Sequence, residues 1–263
     1  MAELITPTMK PCLEVAALSV RYGQRMALRD VHLSVPRGQV TAVVGPSGCG
    51  KSTLLSCLNR MSDLVAGAQV EGSIRLEGDE ILRKDLDVQT LRRRVGLIAQ
   101  RPNPFPFSIL RNITFPLRHH GVRRRSERHS LAVEALERVG LWHEVSQRLQ
   151  QPAHSLSGGQ QQRLCLARAL ALKPEVLLLD EPCSALDPLA SGVVEDLVVG
   201  LRGTLSVVMV THNLAQARRV ADQVAVFWSE AGSGVLVEQG PARQIFEEPR
   251  SAITRAYIDG VRG

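Results

Sequence analysis

Short apolar runs separated by glycine, proline or polar turns recur along the chain. Runs of four to eight residues that are rich in valine, isoleucine and leucine are typical of strands. This pattern predicts strands over residues 13–20, 31–35, 40–44, 70–76, 95–99, 176–179, 205–210 and 224–228. Runs that are apolar at nearly every position, such as 40–44 and 176–179, are typical of parallel strands covered on both faces.

Between these strands the apolar residues follow the three- and four-residue spacing of helices. The spacing predicts helices over 52–60 and 157–172, and a polar, basic and helical stretch over 109–151. Within that stretch one helical face carries Leu131, Ala135, Leu136 and Val139. Strands that alternate with helices predict an α/β fold whose sheet is mainly parallel, and we expect 109–151 to belong to an inserted helical subdomain.

The composition is that of an ordinary globular protein. The chain has 263 residues, of which 44% are hydrophobic and 22% charged, enough for one large or two modest domains. No apolar run approaches the ~18 residues that would span a bilayer. Residues 1–11 contain no apolar core of signal-peptide length. We therefore expect that a partner would have to supply any membrane pore.

Cysteine usage and charge exclude some classes of function. The five cysteines contain no CxxC pair and no Cys/His cluster, so we expect a reducing, cytosolic setting and no zinc site. The net charge of +6 includes basic clusters at 92–94 and 123–125, but aromatic residues make up only 3% of the chain. Because stacking platforms are scarce, we expect solvated basic helix faces and no nucleic-acid partner.

The segment after the predicted strand 40–44 has the chemistry of a phosphate loop. The pattern G-x-x-x-x-G-K-[ST], between a strand and a helix, is matched at every fixed position by Gly45-Pro46-Ser47-Gly48-Cys49-Gly50-Lys51-Ser52. Its glycines let backbone N–H groups surround a β-phosphate, and the helix directs its positive end to the same point. We expect Lys51 to neutralise the β- and γ-oxygens and Ser52 to offer a hydroxyl to Mg²⁺.

Two carboxylates end the apolar run 176–179. Asp180 is placed to reach a metal ion, usually through water, and Glu181 to polarise an attacking water. Adjacent residues of a strand point to opposite sides, so we expect the two carboxylates to have different roles. His212 follows the strand 205–210 and is able to bond the γ-phosphate or to hold Glu181 and the water.

A third motif, Leu156-Ser157-Gly158-Gly159-Gln160, lies between the phosphate loop and the carboxylates. The three motifs in this order resemble the nucleotide-binding subunit of the ATP-binding cassette (ABC) family. The resemblance implies a P-loop NTPase with a mainly parallel sheet core, an N-terminal antiparallel β subdomain and a helical subdomain inserted at about 101–170. It implies one nucleotide-binding domain over 13–263 after a flexible N-terminus, 1–12.

The same resemblance implies ATP and Mg²⁺ as cofactors and a homodimer packed head to tail, in which each signature motif, 157–160, closes over the other subunit's ATP. It implies that His212 is a switch histidine, that Gln100 closes a Q-loop beside the Mg²⁺ and water, and that Tyr22 stacks on adenine. Residues 184–187 resemble the D-loop at the dimer interface. The implied catalytic residues are Glu181, His212 and Gln100. The implied metal-site residues are Ser52, Gln100 and Asp180. The implied nucleotide-binding residues are Tyr22, the loop 45–52, Thr53, Ser157, Gly158, Gly159 and Gln160.

Several longer stretches resemble the phosphate-import branch of the family, namely 57–64, 100–106, 141–145, 159–165 and 211–217. This resemblance implies a peripheral ATPase on the cytoplasmic face of the cell membrane. Its implied partners are two integral membrane permease subunits and an extracytoplasmic phosphate-binding protein. Three departures stand out, none of which removes a catalytic group: Cys183 in place of threonine, Ala99 in place of phenylalanine, and an extra loop within 227–236.

Three alternatives stay open at this point. An importer of phosphonate, an amino acid or another small solute would carry the same cassette. A soluble ABC ATPase of DNA maintenance would place a long coiled coil between phosphate loop and signature. Here Ser157 lies 106 positions after Lys51 (157 − 51), and the segment between them shows no sustained heptads. A non-hydrolysing ATP sensor would be favoured by loss of Glu181 or His212, and both are present.

Overall fold

A computed structural model describes residues 11–260. Its strands are β1 (Pro11–Tyr22), β2 (Arg25–Pro36), β3 (Val40–Val44), β4 (Ala68–Leu76), β5 (Asp79–Glu80), β6 (Val95–Ile98), β7 (Val176–Asp180), β8 (Ser206–Val210), β9 (Gln223–Glu230) and β10 (Ser233–Pro241). Its α-helices are α1 (Lys51–Leu58), α2 (Val88–Arg94), α3 (Ile109–His119), α4 (Arg125–Arg138), α5 (Trp142–Val145), α6 (Gly158–Leu170), α7 (Pro188–Gly200), α8 (Leu214–Val220), α9 (Ala242–Glu247) and α10 (Ala252–Ile258).

The strands form one sheet in the order β5-β4-β1-β2-β10-β9-β3-β8-β7-β6. From β9 to β6 the neighbouring strands are parallel. Strands β3, β7 and β8 are buried along almost their whole length, as their continuous apolar runs predict. Because the strands are parallel, the loops that follow β3, β6, β7 and β8 leave the sheet at the same edge, where ligands of open α/β sheets bind.

The other end of the sheet is antiparallel. β1 pairs with β2 and β4, and β4 with β5, all antiparallel. This half meets the parallel half through β10, which pairs with β2 at a single register position, Gly234 opposite Leu28. The α/β prediction, with its antiparallel N-terminal part, is therefore confirmed.

Helices α3 to α6 lie between β6 and β7 in the chain and share one apolar cluster with the sheet. Ile113, Leu136 and Leu164 from three of these helices pack in it with Leu179 of β7, and each is fully buried. Ser108 caps α3: its Oγ accepts the backbone N–H of Arg111 at 3.3 Å, which satisfies one of the free donors at the helix start. The helical insertion expected from the polar stretch 109–151 is present.

Several boundaries differ from the predicted ones. Pro11 and Cys12, which we expected in a flexible N-terminus, belong to β1, while residues 1–10 lie outside the described part of the chain. The helix predicted to reach residue 60 ends at Leu58, because Arg60 takes a left-handed conformation with φ of 59°. The extra loop expected within 227–236 is the tight turn of a β9–β10 hairpin, and β10 was not predicted.

Candidate functional site

The phosphate loop joins β3 to α1, and two of its glycines are required by contacts. Gly45 has φ of 148°, and a Cβ there would lie 2.2 Å from the carbonyl oxygen of Phe227. Gly50 precedes α1 with φ of 90°, and a Cβ there would lie 2.5 Å from Cδ2 of Leu28. The first turn of α1 has no side-chain cap, so its backbone N–H groups point into the loop and are available to an anion.

Lys51 is held across this loop by the loop itself. Its Nζ donates to the carbonyl oxygens of Gly45 at 2.7 Å and Pro46 at 2.8 Å, and the residue is only 6% exposed. An ammonium group has three N–H donors, and the third faces Cys49 Sγ at 3.8 Å, a weak contact that a phosphate oxygen can displace. Cys49 is buried below it, and burial raises the pKa of this thiol although the Lys51 charge opposes the rise.

Asp180 and Ser52 meet where β7 ends beside α1. The Ser52 hydroxyl donates to Oδ1 of Asp180 at 3.2 Å. Burial raises the pKa of Asp180 above its usual value, and the Ser52 hydrogen bond opposes part of that rise. The arrangement places one hydroxyl and one carboxylate oxygen side by side at the mouth of the loop.

Glu181 lies between two polar side chains from neighbouring strands. Gln100 Nε2, after β6, donates to Oε2 at 3.0 Å, and His212 Nδ1, after β8, lies 3.1 Å from Oε1. Because a carboxylate only accepts, this contact is a hydrogen bond when His212 carries its proton on Nδ1. Since β7 is flanked by β6 and β8, the sheet order itself brings these three side chains together.

The backbone of Glu181 also has an unusual conformation. Its φ is 45°, a region that residues other than glycine rarely adopt, and its N–H donates to the carbonyl oxygen of Val210 at 3.0 Å. Strained backbone of this kind persists where the surroundings enforce it, and it is common at active sites.

A cleft of about 400 Å³ connects the antiparallel half of the sheet with the phosphate loop. It is lined by Tyr22, Arg25, Ala27, Ser47, Gly48, Gly50, Lys51, Ser52, Thr53 and Glu181. The expected adenine-stacking ring of Tyr22 therefore shares one cleft with the expected phosphate-binding groups. Arg25, which pairs with Tyr22 across the β1–β2 turn, was not predicted to line the site.

The signature motif lies elsewhere, since none of residues 157–160 lines this cleft. Ser157 caps α6: its Oγ accepts the N–H of Gln160 at 3.3 Å, and Gln160 Oε1 accepts the N–H of Ser157 at 3.0 Å. Gln160 Nε2 further donates to Glu144 at 2.6 Å. A Cβ at Gly159 would lie 3.0 Å from that of Ala190, so the starts of α6 and α7 touch.

Two supporting contacts escaped sequence reasoning because they join residues that are distant in the chain. Arg168 of α6 donates to the backbone oxygen and the side-chain oxygen of Asn103, both at 3.1 Å. Asn103 belongs to the proline-rich segment after Gln100, so this pair ties the Q-loop segment to the signature helix. Glu144 also pairs with Arg163 of α6 at 2.7 Å.

The sequence matches one family, and relatives share almost the whole chain. The sequence profile described as ABC transporter matches residues 28–184. The phosphate import ATP-binding protein PstB 1 of Nitrosococcus oceani is 54% identical over 97% of this chain and 92% of its own. The phosphate import ATP-binding protein PstB 2 of Bacillus subtilis is 48% identical over 99% of this chain and 95% of its own.

Among solved structures, CbiO1 of Clostridium perfringens, described as part of the ABC transporter complex CbiONQ, has a similar fold. The TM-score is 0.77 at 27% sequence identity, and the match covers 94% of each chain. The similarity therefore extends over both halves of the sheet and the helical insertion.

Proposed function

The chain belongs to the ABC transporter family, and on that premise we propose that it is the ATP-hydrolysing subunit that energises import of inorganic phosphate through a membrane complex. The proposal rests on a sequence identity of about one half, over nearly the full chain, with proteins named for phosphate import. The arrangement of Gln100, Glu181 and His212 supports hydrolysis in addition to binding. ATP is bound by the cassette as a family property.

We assign the nucleotide to the cleft between Tyr22 and the phosphate loop. The ring of Tyr22 stacks on adenine, and Arg25 lies beside the same end. The backbone of 45–50 and the first turn of α1 receive the phosphates, with Thr53 at the rim. Lys51 offers the N–H donor that faces Cys49 to the β- and γ-oxygens, while the loop carbonyls hold its ammonium group in place.

The residues at the mouth of the loop fit Mg²⁺. The Ser52 hydroxyl, the Asp180 carboxylate and the amide oxygen of Gln100, whose nitrogen is used by Glu181, are the hard oxygen donors that this ion prefers. Within residues 11–260 no group of three or more His, Cys, Asp or Glu side chains is placed to hold a metal. Water and phosphate oxygens would complete the shell, and Mg²⁺ when bound neutralises charge on the β- and γ-phosphates.

Hydrolysis requires an oriented water, and Glu181 is the group placed to polarise it. Gln100 and His212 fix the two carboxylate oxygens from opposite sides, and the Glu181 side chain is 19% exposed. His212 is also placed to bond the γ-phosphate, since its side chain is 60% exposed. We therefore assign Glu181 as the catalytic residue and His212 and Gln100 as the groups that orient it and the water.

The signature is separate from the cleft, which supports a two-chain site. Residues 157–160 present a helix N-terminus, a serine hydroxyl and two glycines to the surface of the chain. These groups would suit the γ-phosphate bound by a second copy. We propose a head-to-tail homodimer in which Ser157 and Gly159 of one copy close over the cleft of the other. Closure under ATP and reopening after hydrolysis then form a shift between two states.

No helix within residues 11–260 is long and apolar enough to span a bilayer. Membrane permease partners follow from the family. We propose two permease subunits, contact through the proline-rich Q-loop segment, a phosphate-binding protein outside and a peripheral position at the cytoplasmic face. Phe105, Phe107 and Phe115 pack together there, and Phe115 remains 43% exposed.

Transport by the assembled complex tests the proposal. Full-length protein co-expressed with its permease subunits is purified into vesicles, and uptake of labelled phosphate is measured with ATP on the side of the ATPase. We expect ATP-dependent phosphate uptake that is lost with Glu181→Gln. If the vesicles take up a phosphonate or an amino acid with ATP but take up no phosphate, that solute would be the transported substrate instead of phosphate. ATPase activity without any permease association would overturn the transport role.

A further inference from the structure

A second cavity, of about 540 Å³, lies on the far side of Glu181 from the nucleotide cleft. One wall is the turn after Glu181, with Cys183, Ser184 and Leu186, and the other is Thr211, His212 and Asn213. Both walls are thus segments that meet the hydrolysis site. The remaining lining comes from α7 and α8, the helices that follow these two segments in the chain.

An ionic bridge with a buried carboxylate joins α7 to α8 at this cavity. Glu195 of α7 is 8% exposed and accepts from Arg219 Nε and Nη2, both at 2.8 Å, in a bidentate pair. The same carboxylate accepts from Gln216 Nε2 at 3.0 Å. Three hydrogen bonds to one buried carboxylate fix the direction between the helices more strictly than apolar packing would.

Each helix begins directly after one wall of the cavity, so the bridge between the helices also connects the two walls. Asp187 caps α7, its Oδ1 accepting from Ala190 N at 2.9 Å, so the helix begins where the 184–187 turn ends. Asn213 caps α8, its Oδ1 accepting from the backbone N–H of Gln216 at 3.1 Å. Gln216 therefore bonds both Glu195 and the residue next to His212.

The turn after Glu181 is tied to α7 as well. Cys183 Sγ donates to the carbonyl oxygen of Ser191 at 3.8 Å, within the longer range of sulfur hydrogen bonds. Burial raises the pKa of Cys183 to about 11, although the Gln216 side chain opposes part of the rise, so the thiol keeps its proton at neutral pH. The cysteine that departs from the family pattern thus still supplies a donor to α7.

From these contacts we propose that Glu195 is a positioning residue for hydrolysis, an inference that rests on the proposed ATPase function. Through Gln216 and Arg219 it holds α8 so that His212 stays against Glu181, and through α7 it holds the 183–187 turn. Glu195 touches neither the nucleotide cleft nor the reacting atoms. Its loss should therefore slow turnover while leaving ATP binding in place.

Steady-state ATPase kinetics of the full chain with Glu195→Ala, Arg219→Ala and the double variant test the proposal. Loss of alignment predicts a kcat that is about 10- to 100-fold lower, with KM and the Kd for ATP changed less than about twofold. Because both residues act through one bridge, the double variant should be no slower than the slower single variant. Glu195→Gln, which keeps the shape and one acceptor, should recover part of kcat and serves where the alanine variants fail to fold.

The matched control is Glu175→Ala. Glu175 forms an equally bidentate pair with Arg94, at 2.7 and 2.9 Å, but before the start of β7, away from the hydrolysis site. We expect it to lower the melting temperature without changing kcat. Three results would overturn the positioning role. The first is a kcat within twofold of the parent for both Glu195→Gln and Glu195→Ala. The others are additive losses of kcat in the double variant and an equal loss of kcat in Glu175→Ala. A parent chain that binds ATP but never hydrolyses it would instead overturn the proposed function, and this inference with it.

Discussion

The phosphate loop and the signature motif are both glycine-containing turns that lead into a helix, but only the second helix start is capped by a side chain. At α1 the residue before the helix is Gly50, in a left-handed conformation and without a side-chain cap. At α6 the residue before the helix is Ser157, which forms a reciprocal capping box with Gln160. The first turn leaves its N–H donors open to an anion, whereas the second satisfies part of its donors within the chain.

Under the proposed function, this difference shows how one chain would supply two kinds of phosphate contact. The phosphate loop is complete by itself, since glycine backbone, lysine and carboxylate meet in one cleft. The start of α6 is capped within the chain, and under the proposed function it would add only a hydroxyl and close backbone approach. We therefore expect changes in the loop to affect a single chain and changes in the signature to affect only the assembled pair.

The largest effect should come from a variant that keeps ATP bound and so holds the phosphate loop of one copy against the signature motif of the other. Glu181→Gln keeps the shape of the side chain but removes the carboxylate that polarises water, so we expect kcat to fall about 10³-fold while ATP still binds. The bound ATP should then hold the two-copy closed state. Gel filtration with and without ATP measures this, and a variant that elutes only as a monomer with ATP would argue against a site shared between copies.

The next largest effect should come from Lys51→Ala, which removes the charge from the loop. We expect ATP affinity to fall at least ~100-fold, about 3 kcal/mol, measured by calorimetry on the isolated chain. The two loop carbonyls also lose their donor, so thermal melting is recorded as a control. An unchanged Kd for ATP would contradict the assignment of the cleft.

Ser157→Ala should separate the two regions most clearly. A single chain should bind ATP with unchanged Kd, while kcat of the assembled pair falls about tenfold because the neighbouring site loses a hydroxyl. Removing the cap also costs α6 about 1 kcal/mol. Ser251→Ala removes the same kind of cap from α10, where Ser251 accepts from Ile253, and should cost similar stability with no change in kcat. Equal losses of kcat in both variants would reduce Ser157 to a helix cap.

The smallest effect should come from Gly158→Ala, which is compared with Gly50→Ala. Gly50 has a φ of 90° and a close neighbour, so alanine there should cost roughly 2–3 kcal/mol and weaken ATP binding. Gly158 has no heavy atom within 4 Å of a built Cβ, so alanine should leave the unfolding free energy of the single chain unchanged. Denaturant unfolding measures the unfolding free energy of both variants. Equal destabilisation of the two would contradict the expected difference between the two glycines.

Much of the fold was predictable because its buried strands are continuous apolar runs. Strand β3 and the segment from Gly45 to Ser52 that follows it span 13 residues, and their sequence predicts both the local structure and its chemistry. β10 was missed because two glycines, a glutamate and a proline interrupt its pattern, and its pairing with β9 provides the order that local propensity does not.

Long-range pairs were beyond reach of the sequence for a different reason. Glu195 and Arg219 are ordinary charged residues on two helices, and only the packing of α7 against α8 brings them together as a bidentate ion pair. The same holds for Arg25, whose place in the cleft depends on the β1–β2 turn. Motif spacing predicts what a short segment does, but it does not predict which distant side chains hold that segment.

The two hydrogen bonds from Lys51 to its own loop have a consequence for substitution. Arginine would carry the same charge, but its planar guanidinium cannot aim donors at the carbonyls of both Gly45 and Pro46 from a residue that is 6% exposed. The position therefore selects for the compact, tetrahedral geometry of an ammonium group and not for positive charge as such. A swap usually regarded as conservative would fail here on shape alone.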